Sequence, residues 1–158
     1  MTRQDIREQL LDTWLEATRA ALGEMAGTQV FVQAVNETWR HDGVEQFHAV
    51  VSLSSSFLQT LVLSFPLDTA TNLAKRILPE AGVAVDDDLV QDCVGEIANV
   101  VAGQAKALLG GTLYQFTFSI PTVVVRTDPL QSDDCRIGPI IALNCDQGEF
   151  SLGIVLRP

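Results

Sequence analysis

The chain has 158 residues and a mass of 17.1 kDa, and it is 47% hydrophobic with a mean hydropathy of +0.21. That is enough apolar content for a single cored domain burying roughly 70% of its unfolded surface. With only 19% charged residues, it also excludes disorder as the main state. Ten basic residues stand against twenty acidic ones, a net charge of −10, which argues against nucleic acid and against anionic membrane surfaces. It favours solubility, or a partner that offers positive charge.

No apolar run approaches the ~18 residues of a membrane-spanning helix. The N-terminus opens Thr2-Arg3-Gln4-Asp5 and lacks the continuous apolar stretch of a signal peptide, so the expected location is cytoplasmic. Cys93, Cys135 and Cys145 show no CxxC spacing and read as buried, inert thiols. His41 and His48 flank Gly43 and read as surface or turn positions rather than metal ligands. No metal site is expected.

In chain order, residues 5–26 read as a helix, with Ile6, Leu10, Trp14, Ala17, Ala21 and Met25 on one stripe and Gly27 as its stop. Strand-like runs follow at Gln29–Trp39, Gln46–Leu53 and Phe57–Phe65, with Arg40-His41-Asp42-Gly43 as a turn. A short helix opens after Pro66, with Asp68 as the expected N-cap, Leu73, Ile77 and Leu78 as its apolar face, and Pro79 as its end. Pro79-Glu80-Ala81-Gly82 reads as an internal linker. Asp86, Asp87 and Asp88 then precede a long periodic segment, Leu89–Leu109, ended by Gly110-Gly111. Tyr114–Val125 alternates like a strand with Pro121 inside it. Arg136–Asn144 and Glu149–Leu156 flank the hairpin signal Asp146-Gln147-Gly148.

This order suggests two similar halves, about 5–79 and 84–158, within one domain spanning 1–158. Asp12 and Glu16 each have an acidic counterpart 80 residues on, at Asp92 and Glu96. The predicted fold class is α/β in the layered α+β sense: long helices packed on a largely antiparallel sheet.

The second long helix carries the informative pattern. At about 100° per residue, Asp92, Glu96, Asn99, Gly103 and Lys106 fall within about 40° of one line. Val90, Val94, Ile97, Val101 and Leu108 point away from it and form the expected core face. Any helix needs a polar face, and Asp92 and Glu96 fit that plain reading. Asn99 fits it less well, because asparagine is a poor helix former. Gly95 and Gly103 each cost about 1 kcal/mol relative to alanine. Close approach of another body to this face would explain all three.

The spaced set Asp92-x3-Glu96-x2-Asn99-x21-Pro121, with Gly95-Glu96-Ile97-Ala98-Asn99 at its centre, resembles the signature of the CheC/CheX/FliY chemotaxis phosphatases. The resemblance implies removal of the phosphoryl group from the aspartate of a phosphorylated CheY-type response regulator. It implies that Glu96 pairs with a regulator lysine, that Asn99 orients the attacking water, and that Asp92, Gly95, Gly103 and Lys106 line the partner-facing surface. Lys106 is also open to a simpler reading, as positive charge near the helix C-terminus. Mg²⁺ is expected on the regulator and no cofactor in this chain. Pro121 reads as a bulge or edge residue beside the active helix, or as a simple edge-strand proline. Some members carry the pattern twice. Here Arg19 stands at the asparagine position of the first half and His41 at its proline position. One site resembles the CheX type, which implies a homodimer. The alternatives are a regulator- or flagellar-switch-binding module of the same fold without turnover, or an unrelated α/β domain whose stripe is only surface. Between Arg76 and Lys106 there is no basic residue, while Glu80, Asp86, Asp87, Asp88, Asp92 and Glu96 are acidic. The negative field is therefore concentrated at the helix that the resemblance assigns to docking.

Overall fold

Helix α1 spans Arg3–Ala26. Leu10, Trp14, Ala17 and Ala21 recur at helical steps and are buried, and Met25 is half-buried at the end of the same stripe. Gly27 ends the helix in the left-handed region, at φ +61. Its N–H donates to the Gly23 carbonyl at 3.1 Å, which satisfies one of the last free carbonyls. The computed structural model describes residues 3–36, 43–78, 85–127 and 136–157. The Pro79–Gly82 linker, His41 and Cys135 lie outside the described residues.

Three strands follow: β1 (Phe31–Asn36), β2 (Gln46–Ser54) and β3 (Leu58–Pro66). In β2 the odd-numbered residues Phe47, Ala49, Val51 and Leu53 enter the main core, as the period of a strand requires. Strand β3 runs into helix α2 (Leu67–Ile77) without a loop. Pro66 therefore takes the N-cap position, and no side chain caps the helix. Asp68 is not the N-cap expected of it. It sits in the first turn, where its charge still complements the helix dipole. Leu73 is buried, while Ile77 and Leu78 are half-buried.

Helix α3 spans Asp87–Leu109. Of the three candidate aspartates Asp86 is the cap: its carboxylate accepts from the Leu89 N–H at 2.8 Å. Val90, Val94, Ile97 and Val101 are buried as expected, joined by Cys93, Ala98, Ala102, Ala105 and Leu109. Leu108 is exposed. The helix turns past it, and Leu109 takes the core position in the last turn. Helices α1 and α3 pack against each other. The Trp14 ring stacks on Phe116, with centroids 5.6 Å apart, and so ties α1 to the segment that follows α3.

The remaining strands are β4 (Thr117–Phe118), β5 (Thr122–Arg126), β6 (Arg136–Cys145) and β7 (Gly148–Leu156). The described residues form a seven-stranded sheet in the order β1-β6-β7-β3-β2-β4, with β5 also on β2. Every pairing is antiparallel. Outward from the central β3–β7 pair the sheet runs through β2 to β4 and β5 on one side. On the other side it runs through β6 to β1.

The single strand expected over Tyr114–Val125 is two short strands, and the register gives the reason. Leu53 lies opposite Phe118 and Val50 opposite Thr122. Val51 and Ser52 of β2 therefore face three residues, Ser119, Ile120 and Pro121. This is the one-residue excess that defines a β-bulge. The Ser119 N–H still donates to the Ser52 carbonyl at 3.1 Å. Pro121 has no N–H to give and is placed where the ladder is already interrupted, on the outermost strand.

His48 is not at the surface. It is 1% exposed on β2, directly opposite Ser64. Its Nε2 donates to the Arg126 carbonyl at 2.9 Å, so in the neutral ring Nδ1 accepts from the Ser64 hydroxyl at 2.7 Å. A polar ring with both nitrogens bonded can be buried at little cost.

Candidate active site

Helix α3 positions the candidate residues by its periodicity. Asp92, Glu96, Asn99, Gly103 and Lys106 are all exposed, and the buried residues named above occupy the opposite side. Glu96 and Asn99 are separated by about 4.5 Å of helical rise, so their side chains can reach one small site. Asp92 sits one turn before Glu96. Among the described residues, no side-chain hydrogen bond or ion pair engages Glu96 or Asn99. An asparagine in the middle of a 23-residue helix therefore gains no side-chain hydrogen bond from the described residues to offset its poor helix propensity.

Edge strands β4 and β5 flank this stripe. Gly95 is half-buried, and a Cβ there would stand 3.4 Å from the Val123 side chain of β5. The nearest neighbour of Gly95 is thus the protein's own sheet, at about ordinary contact distance. Gly103 differs, because nothing lies within 4 Å of the Cβ it lacks. At the far end of the stripe Lys106 extends over the edge strand, its Nζ 6.0 Å from the Phe118 ring centroid. Pro121 is half-buried in the bulge between these two contacts.

The local electrostatics leave this face acidic. Asp87 and Asp88 occupy the first turn of α3 beyond the Asp86 cap, and Asp92 and Glu96 continue the charge along the helix. Cys93, one residue position from the stripe, is buried, and burial pushes its thiol up to about 11, with the Glu96 carboxylate adding to the effect. Burial likewise raises the Cys145 thiol. Both stay protonated near neutral pH, and neither is a nucleophile.

The matching positions of α1 have a different fate. Asp12 and Glu16 are exposed. Arg19, at the position equivalent to Asn99, donates from Nε to the Val30 carbonyl at 3.0 Å. It ties the helix to the start of β1. A cavity of about 390 Å³ opens beside it, lined by Arg19, Gly23, Thr28, Gln29, Val30 and Phe31. It belongs to the α1 side and does not contain the Glu96–Asn99 pair. Sequence reasoning missed one exposed residue of the edge segment that flanks α3, Ile120 in the bulge. No local signal marks it: Phe116, Phe118 and Ile120 alternate as in a regular strand, and the one-residue bulge that breaks the alternation shows only in the register with β2.

A family model described as chemotaxis phosphatase CheX matches residues 47–138, which includes α3, the Glu96–Asn99 pair and Pro121. Comparison with curated proteins returned no sequence match. Among solved structures, the chemotaxis protein CheX of Desulfovibrio desulfuricans is 20% identical with a TM-score of 0.78, covering 94% of this chain and 99% of that one. CheX of Vibrio vulnificus is 19% identical at the same TM-score and the same coverage. A CheX–CheY–BeF3–Mg²⁺ complex from Borrelia burgdorferi is 16% identical with a TM-score of 0.70, over 94% of this chain and 97% of that one. These likenesses establish the fold. The family model covers more than half of the sequence, and the chain belongs to the CheX family of chemotaxis phosphatases.

Proposed function

We propose that this chain hydrolyses the aspartyl phosphate of a phosphorylated CheY-type response regulator with the exposed stripe of α3. The observation that carries the reading is the Glu96–Asn99 pair. Both residues are exposed on one helix face and free of intrachain partners among the described residues. The likeness to a CheX–CheY–BeF3–Mg²⁺ complex supports the choice of partner. An open helix face, rather than a cavity, suits a macromolecular substrate.

In the proposed reaction the water oxygen bonds to phosphorus, the bond from phosphorus to the aspartyl oxygen breaks, and inorganic phosphate and a carboxylate are released. Positioning and charge stabilisation do most of the work in such transfers. The Asn99 amide donates one hydrogen bond and accepts another, so it can hold water in line with the phosphoryl group. Glu96 offers a carboxylate to a cationic side chain of the regulator and fixes the register of the complex. Mg²⁺ is assigned to the regulator, where it would neutralise phosphoryl charge. The acidic run from Asp86 to Glu96 supports docking against a cationic surface.

We also propose a cytoplasmic homodimer. Strand β1 lies at the sheet edge with all six residues exposed, including Phe31, Val32 and Val35. An apolar edge left exposed among the described residues favours pairing with another chain. Among the described residues no helix is long and apolar enough to cross a membrane.

The deciding experiment is phosphate release from a CheY-type receiver domain phosphorylated with acetyl phosphate, after the excess donor is removed. The chain should accelerate release well beyond the receiver's own rate. Binding without acceleration would instead mark a docking module.

A further inference from the structure

The bulge beside α3 carries a residue that the family signature does not include. Ile120 is 88% exposed, the highest value among the exposed large hydrophobic residues of the described chain. A single exposed apolar side chain is ordinary. This one is distinguished by where it is held.

Two contacts set its position against the helix. Gly95 faces Val123, and Lys106 extends over Phe118. Between Gly95 and Lys106 the helix rises roughly 16 Å, and between Phe118 and Val123 an extended chain covers roughly the same distance. The two elements run in opposite directions, so Ile120 and Pro121 fall about level with residues 99–102. Pro121 therefore stands about level with Asn99, and Ile120 about level with residues 101–102, roughly 4 Å further along the helix. The segment is also held at both ends by β2, through Phe118 opposite Leu53 and Thr122 opposite Val50. The Ser119 N–H bond to Ser52 and the fixed φ of Pro121 restrict it further. An apolar side chain presented on so constrained a support loses little conformational freedom when a partner covers it.

We propose that Ile120 is a regulator-contacting residue: its side chain is buried by the phosphorylated receiver domain on docking and contributes to the affinity of the complex. This rests on the function proposed above and adds to it a specific apolar contact. The partner must then offer both a cationic group, for Glu96, and an apolar patch next to its phosphorylation site. The extra residue of the bulge has a purpose in this account. It lets Phe118 and Val123 both pack toward the helices while a residue between them is left outside the core, as bulges that re-aim side chains do.

The test uses Ile120→Ser and Ile120→Leu, with Asn99→Ala as a control, against the receiver domain phosphorylated with acetyl phosphate. Binding is measured by titration and turnover by phosphate release. Ile120→Ser should raise KM and weaken binding by about tenfold or more, with kcat changed by less than about threefold. Ile120→Leu should restore most of the affinity, and the melting temperature should be unchanged in both. If Ile120→Ser matches wild type in KM and binding while Asn99→Ala abolishes turnover, the inference about Ile120 is wrong and the proposed function stands. If wild type neither binds nor accelerates release, the function falls and Ile120 falls with it. If wild type binds without turnover, the titration alone decides the role of Ile120.

Discussion

The two long helices present the same acidic start and diverge at one position. On α1, Asp12 and Glu16 lead to Arg19, whose Nε is bound to the Val30 carbonyl at 3.0 Å. On α3, Asp92 and Glu96 lead to Asn99, which makes no side-chain hydrogen bond among the described residues. One position has been absorbed into the fold, and the other is left available. The flanking edges differ as well. Beside α3 the β4–β5 edge carries the Ile120–Pro121 bulge, whereas the opposite edge is β1, paired to β6 with a shift between Val32 and Ala34. A side chain that is tied down stabilises its own chain, and one held out without partners is available to another.

The largest effect expected comes from trying to move the site. The double variant Arg19→Asn with Asn99→Ala supplies the missing amide on α1 and removes it from α3. Phosphate release should remain at least about a hundredfold below wild type, because the bulge of the β1 edge, between Val32 and Ala34, presents Gln33 where the α3 side presents Ile120 and Pro121. Recovery of activity would show that the amide suffices and that the flanking strand is dispensable. In the same variant, loss of the Arg19–Val30 bond should lower stability by about 1 kcal/mol, read from denaturant unfolding.

Next in size is Glu96→Gln. Removing the charge while keeping the shape should raise KM by about tenfold at low ionic strength and by less at high salt, with a smaller change in kcat. A salt-independent defect would mean that Glu96 acts in chemistry rather than in docking.

Gly103→Ala sharpens the comparison from the side of stability. With open space at the missing Cβ, alanine should stabilise α3 by about 0.5–1 kcal/mol, a rise of roughly 2–4 °C in Tm. If the regulator approaches closely there, the same variant should lose affinity. A more stable protein with unchanged affinity would remove Gly103 from the docking surface.

The smallest effect concerns Cys93. Its folded thiol holds the proton more tightly than the unfolded chain does. Stability is therefore unaffected at neutral pH and falls as pH rises from about 9 toward 11. Cys93→Ala should flatten that alkaline decline in a pH series of unfolding curves.

The helices were legible in the sequence because 3.6-residue periodicity and their stop signals are local. Gly27 and Asp86 sit where the structure uses them. The sheet order was not legible, since β1–β6 and β3–β7 pair residues about a hundred positions apart. His48 was misplaced because a polar residue in a strand reads as exposed. Two tertiary partners, Ser64 and the Arg126 carbonyl, make its burial tolerable. The residues of the α3 stripe were legible from spacing alone. Their neighbours were not: nothing local shows that Val123 lies against Gly95.

The central claim is that Asn99 acts on the phosphoryl group and does nothing for the fold. The most direct measurement is single-turnover phosphate release from a phosphorylated CheY-type receiver at saturating enzyme, comparing wild type with Asn99→Ala. The account predicts a rate reduced by at least about a hundredfold, with binding and unfolding midpoint unchanged. Equal rates for the two proteins, both faster than the receiver alone, would contradict it.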